Sequence, residues 1–306
     1  MRVFVAGATG VVGRRLVALL AGRGHEVVGT TRSPGRTDAI RLAGAEPVVL
    51  DGLDAVAVGE AVAKARPDVV VHEMTALQGI ADLRRFDRTF AGTNALRTAG
   101  VDNLLAAATA AGVRRAVVQS FTGWTNPPGD GLATEEEPLT EHVPPAQRES
   151  LAAIRHLERA VTSADLEGTV LRYGLLYGPG ASDAMVEAVR GRRFPLVGDA
   201  AGVWSFLHAD DAASATVAAV EGDATGLFNV VDDEPAPVAE WLPYLAECTG
   251  AKPPRRVPAA LARLLAGEAA VAMSTTQRGA SNARARRELG WAPRWSTWRD
   301  GFRTLA

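Results

Sequence analysis

The sequence has a single cysteine, Cys248, which excludes an internal disulfide, a Cys-x-x-Cys pair and a thiolate metal site. One lone thiol suits a reducing compartment. Lysine is nearly missing: Lys64 and Lys252 are the only two among 33 basic residues, and the rest are arginine. With the abundant alanine and glycine, this points to a GC-rich bacterial genome and says nothing of mechanism. Tyrosine occurs only at Tyr173, Tyr177 and Tyr244. No apolar run reaches the ~18 residues that cross a bilayer. No charged stretch followed by an apolar one marks a secretory signal, so a cytoplasmic protein without a membrane partner is expected. His25, His72, His142, His156 and His208 show no His-x-x-x-His spacing, and no metal is expected. Neither sign of charge dominates. The formal net charge of −2 leaves no basic field for nucleic acid. The 306 residues, 47% of them hydrophobic, suffice for one large domain or two lobes. There is no internal repeat and no low-complexity linker.

What is present starts at the first residues, MRVFVAGATGVVG. Residues 3–6 read as a short buried strand. Gly7, Gly10 and Gly13 follow at three-residue spacing, and an amphipathic helix with Val11, Val12, Leu16, Val17, Leu19 and Leu20 comes next. Strand, glycine turn and helix in that order are the context of a dinucleotide fingerprint. Gly7 makes the tight turn, Gly10 lets backbone N–H groups reach a pyrophosphate, and Gly13 lets helix and strand pack closely. Thr9, Val11 and Val12 belong to the same cradle, at the positive end of the helix dipole. The alternative is a glycine turn that serves packing alone.

Strands over 26–30, 47–50, 68–72, 117–120 and 168–173 alternate with helical segments over 38–43, 56–65, 81–112 and 147–164. This alternation implies an α/β fold with a doubly wound parallel sheet. An NAD site holds the ribose with an acid about 20 residues past the glycines. Here Thr31 and Arg32 stand at the end of the second strand, with Arg36 nearby; no acid occupies that place, and Asp38 lies well past it. A guanidinium there suits a 2′-phosphate, so NADP is expected, with NAD as the second choice. Asp51 and Gly52 end the third strand, either beside an adenine or as an ordinary turn. Met74 and Thr75 follow the fourth strand, where a cofactor lies over a parallel sheet. Residues 126–145 read as a mobile loop over a site, with Glu135, Glu136 and Glu137 as solvated surface. Asp210 and Asp211 read as an N-cap. Trp241, Trp291, Trp295 and Trp298 read as the core of a smaller lobe.

Seven segments then stand in a telling order: GATGVVG at 7–13, DGLD at 51–54, VVVHEMTAL at 69–77, LRYGLLYGPG at 171–180, FLHADDAASA at 206–215, FNVVDDEP at 228–235 and RRELGWAPRW at 286–295. On these the chain resembles the extended short-chain dehydrogenase/reductase superfamily of the NAD-dependent epimerase/dehydratase type, over nearly its whole length. The resemblance implies a Rossmann-type sheet domain over 1–174, with 204–232 returning to it. It implies a smaller, mostly helical substrate lobe from 175–203 and 233–306.

The resemblance also implies a catalytic Tyr and Lys four residues apart on the helix after the fifth strand. This chain resembles an atypical member. Four residues after its tyrosines stand Tyr177, Ala181 and Cys248. Aligning HLERAV by Glu158 places Ser150 at the Tyr position and Ile154 at the Lys position. Aligning Ser120 with the first hydroxyl of the family's fifth-strand motif places Thr122 as donor to a substrate oxygen, or as a strand-end cap. Tyr173 replaces a proline beside the nicotinamide and either faces substrate or belongs to the core. Glu73, His142 and His208 are further candidates for the missing acid, against plain structural roles. The expected activity is that of an NADP(H)-dependent oxidoreductase on a small organic substrate. A non-redox isomerase, cyclase or dehydratase that retains its cofactor is one alternative, and an NADP(H)-sensing binding protein is another. A second copy of the chain in a homodimer is the only macromolecular partner considered.

Overall fold

Runs of β-branched and small apolar residues form seven parallel strands: β1 (Arg2–Ala6), β2 (Glu26–Thr31), β3 (Glu46–Val49), β4 (Val69–His72), β5 (Arg115–Phe121), β6 (Glu167–Tyr173) and a last strand at Gly226–Val230. The computed structural model describes residues 1–77 and 82–305. The strands lie in the order Gly226–Val230, β6, β5, β4, β1, β2, β3. Successive side chains alternate between the two faces. Val3, Val5, Val69, Val71, Leu171 and Tyr173 face α1 (Val11–Gly22) and the helix Ala209–Glu221. Phe4, Val28, Val70, Val118 and Val170 face the opposite layer, with Val58, Leu104 and Leu157 from three further helices. Both faces are therefore buried, which is why the strands read as unbroken apolar runs rather than alternating ones. The doubly wound sheet expected from the sequence is thus the observed one.

Strand order reverses between β1 and β4. In an open parallel sheet that reversal leaves a crevice at the carboxyl ends of the strands. The glycine turn and the ends of β4, β5 and β6 all open onto it.

Beyond β6 a second cluster gathers Tyr177, Trp204, Phe206, Trp241, Trp298 and Phe302. Phe206 packs edge-on to Trp241 at 5.3 Å and to Phe302 at 5.2 Å. Of the four C-terminal tryptophans only Trp241 and Trp298 share this core, whereas the sequence reading expects all four there. Trp291 sits in the main sheet core and donates its indole N–H to Ser214 Oγ at 2.9 Å. Trp295 stacks near His208, 4.8 Å between ring centroids. The chain's end returns across the helix Ala209–Glu221, and sequence periodicity carries no trace of that return.

Two other expectations change. The helix after β4 comprises Phe86–Ala95, a π-turn at Leu96–Gly100 and Val101–Ala110; Ala81 lies outside the described residues. The N-cap of helix Ala209–Glu221 is His208, whose Nδ1 accepts from the Asp210 N–H. Asp211 instead accepts the N–H groups of Arg294 and Trp295, both at 2.9 Å. Among the described residues, no helix is long and apolar enough to cross a membrane.

Candidate active site

The site begins at the turn between β1 and α1. Gly7 has φ +96°, a left-handed conformation that side chains resist, and a Cβ there would come within 2.6 Å of the Glu73 carbonyl oxygen. A Cβ on Gly13 would collide with the Gly7 carbonyl, so the helix rides directly on the turn. Gly10 is exposed and caps α1 without any side-chain hydrogen bond. The first N–H groups of the helix, beside Val11 and Val12, are thus left for an outside acceptor. This uncapped, side-chain-free N-terminus fits the pyrophosphate of a dinucleotide. Thr9 Oγ1 lies 3.3 Å from Thr31 Oγ1, and Thr31 also accepts the Ser33 N–H at 3.2 Å. Thr31 is buried, whereas Arg32 and Arg36 are exposed and form no ion pair among the described residues. Asp51 Oδ1 accepts the Leu53 N–H at 3.0 Å, as a turn former does. Asp54, the second acid of DGLD, caps the helix Ala55–Ala65. The Met74 thioether packs where a Cβ on Gly52 would stand, and Thr75 is half-buried beside it.

Beneath the turn lies a closed polar cluster. Tyr173 donates to Glu73 Oε1 at 2.9 Å and shares a hydrogen bond with Thr216. Glu73 Oε2 is buried without a partner. Burial pushes the Glu73 carboxyl up to about 8, although the Tyr173 hydrogen bond and the nearby Thr216 hydroxyl pull it down. Glu73 therefore holds its proton at neutral pH. The same burial, with Glu73 beside it, raises the Tyr173 phenol well above its usual range. Tyr173 is 1% exposed and belongs to the sheet core, so its hydroxyl serves Glu73 rather than the crevice.

On the other side of the sheet, Ser120 donates to Glu158 Oε1 at 2.9 Å. Glu158 also takes a bidentate pair from Arg172, at 2.8 and 2.7 Å. A buried ion pair survives only when its remaining lone pairs are filled, and Ser120 fills one. Arg97 lies near it from the π-turn; burial lowers its guanidinium to about 10, against the pull of Glu158. Ser150 donates to Asp87 Oδ1 at 2.6 Å and accepts from Asn94 Nδ2 at 2.9 Å. Thr122 donates to Asn126 Oδ1 at 2.9 Å, and Asn126 donates to the Arg278 carbonyl at 2.9 Å. Ile154 is fully buried with Leu139 and Leu151, against Phe121, Trp124 and Val143. Ser120, Thr122, Ser150 and Tyr173 thus sit at the ends of β5 and β6 and the facing helix. They occupy separate networks, and each hydroxyl hydrogen is already committed.

The loop 126–145 is pinned, not loose. Arg278 donates to the carbonyls of Gly131, Asp130 and Leu132 and pairs with Glu137 at 2.7 Å. Glu135 is buried, accepting the Asn229 N–H at 2.6 Å, and Glu137 is paired, so of the acidic run only Glu136 is the solvated surface expected. Asp87, Asn94, Asn126, Arg172 and Arg278 are the residues sequence reasoning did not single out, and Glu158 served there only to align a motif. Their partners lie up to 152 residues away, as in Asn126 with Arg278. His72 is buried and held neutral, its imidazole lowered to about 4 by burial.

Comparison with known proteins agrees with this geometry. The NAD dependent epimerase/dehydratase family pattern matches residues 3–230. A "3-diazoavenalumate denitrifying reductase" from a Streptomyces species is 49% identical over 310 residues, covering 99% of each chain. The UDP-glucose 4-epimerase of Thermus thermophilus, solved with NAD, superposes with a TM-score of 0.75 at 25% identity, covering 99% of this chain and 97% of that one. A human epimerase family protein solved with NADPH has the same fold, at TM-score 0.76 and 22% identity, covering 100% and 99%. The glycine turn, the strand reversal and these matches together make the chain an enzyme of the NAD dependent epimerase/dehydratase family, with the NAD(P)-dependent chemistry of oxidoreductases and epimerases.

Proposed function

We propose that this enzyme is an NADP(H)-dependent reductase that replaces the nitrogen of a diazonium group by hydrogen. The observation that carries the reading is the commitment of the four hydroxyls at the ends of β5 and β6 and on the facing helix. Ser120 gives its hydrogen to Glu158, Thr122 to Asn126, Ser150 to Asp87 and Tyr173 to Glu73. Ile154 occupies the place where the family resemblance expects a lysine, and it is packed in apolar surroundings. Reduction of a ketone leaves an alkoxide that must be protonated, and none of these four hydroxyls is free to do it. A diazonium carbon needs none. A bound NADPH supplies the hydride. A C–H bond forms, the C–N bond breaks, and its electron pair leaves with dinitrogen, so no proton enters the balance.

The relative named as a diazo-compound reductase, alike over 99% of both chains, supports the same chemistry. The exposed Arg32 and Arg36 at the end of β2 support NADPH over NADH through the 2′-phosphate. The chain's own residues then bind and exclude. The uncapped helix start takes the phosphates, and the tethered loop 126–137 shields the ends of β5. The test is stoichiometric: purified enzyme, NADPH and an aryl diazonium salt should consume NADPH and evolve dinitrogen mole for mole. Faster consumption with a ketone panel, or none with the diazonium salt, overturns the assignment.

A further inference from the structure

The end of β5 carries an aromatic group that hydride delivery itself does not require. Phe86 and Phe90 stack with ring centroids 4.3 Å apart and planes 17° apart. Trp124 stands edge-on to Phe86 at 5.2 Å, and Phe121 lies 6.2 Å from Trp124 with planes 30° apart. Phe86 is buried, but Phe90, Phe121 and Trp124 stay half-buried. Phe121 and Trp124 flank Thr122 in the chain and pack against the Ile154 cluster. This is the carboxyl edge of the parallel sheet, where ligands bind.

The charge at this place is as telling as the shape. The fully buried Ile154 brings no cation under the rings. Arg155, the next residue, turns away to the Thr140 carbonyl at 2.5 Å. Arg97 lies near the Glu158 and Arg172 pair instead. An ammonium at position 154 would repel a positively charged substrate, whereas aromatic faces attract one. A flat ring would also stack on them.

We propose that Phe90, Phe121 and Trp124 form the seat for a substrate that is a planar aromatic ring bearing a cationic diazonium group, and that Ile154 keeps a competing cation out of that seat. The proposal rests on the functional reading above and names its substrate class.

The experiment uses two stable ligands of like shape, phenyltrimethylammonium and neutral tert-butylbenzene, titrated by calorimetry into full-length enzyme saturated with NADPH. The cation should bind roughly 5- to 30-fold more tightly than its neutral counterpart. Trp124→Leu and Phe90→Leu, at half-buried positions, should each cut that preference by roughly threefold or more, and Trp124→Phe should keep most of it. Equal affinity for the two ligands in the wild-type enzyme overturns the seat whether or not the variants fold. So does a preference unchanged in both leucine variants. Loss of the preference with diazonium turnover intact would sink the seat alone. A clear preference without diazonium turnover would sink the functional reading alone.

Discussion

Replacing Glu73 by glutamine should stabilise the protein increasingly as pH rises. The Glu73 carboxyl sits at about 8 in the fold, against 4.5 for an ordinary glutamate. Between those values the unfolded chain loses this proton and the folded chain keeps it. Stability therefore falls with rising pH across that window, by about 1.4 kcal/mol per pH unit for one group. At pH 7 the wild-type protein should already have lost about 3 kcal/mol relative to pH 4.5. Glutamine cannot ionise, and its amide oxygen can still accept the Tyr173 hydrogen bond. Its amide nitrogen takes the place of Oε2, which has no partner in either case. Urea unfolding at pH 5, 6, 7 and 8 is the assay. The stability of Glu73→Gln minus that of wild type should climb by about 1.4 kcal/mol per unit up to pH 8 and then flatten. Asp232, also pushed to about 8 by burial, titrates in both proteins and cancels from the difference. Parallel pH profiles would show that Glu73 is not held protonated under the glycine turn.

Two further outcomes follow from the same contacts. Arg32→Ala should weaken NADPH binding roughly tenfold, about 1.4 kcal/mol, and leave NADH unchanged; equal losses in fluorescence titrations would mean that Arg32 does not read the phosphate. Arg278→Ala removes the guanidinium that ties three loop carbonyls and Glu137 together. It should speed limited proteolysis within 127–137 by roughly 30-fold, since lost charge-assisted hydrogen bonds cost about 2 kcal/mol; an unchanged cleavage rate would show that the loop is held by other contacts.

The sheet and its glycine turn were legible because their signals are local. Gly7, Gly13 and the unbroken valine strands each answer to neighbours within a few residues or to burial on both faces. That no tyrosine of the chain has a lysine four residues on is plain from the sequence itself. What resisted sequence reading is long-range pairing. Loop 126–145 has the composition of a mobile lid, yet Arg278 and the Asn229 N–H hold it from far along the chain. Trp291 and Trp298 look alike in sequence, but the first packs on the main sheet and the second in the C-terminal cluster. Tyr173 shows the limit most clearly. Its position at the end of β6 left a substrate-facing hydroxyl and a core aromatic both open, and only the pairing with Glu73 and Thr216 decides for the core.

The central claim is that hydride reaches a diazonium carbon at a site whose Ser120, Thr122, Ser150 and Tyr173 hydroxyls are committed elsewhere. Turnover of an aryl diazonium salt in ordinary water with NADPH deuterated at the transferable position tests it directly. The account predicts one deuterium on the ring carbon that lost nitrogen, with no solvent hydrogen there. A product carrying solvent hydrogen at that carbon, or nitrogen retained on the ring, would contradict it.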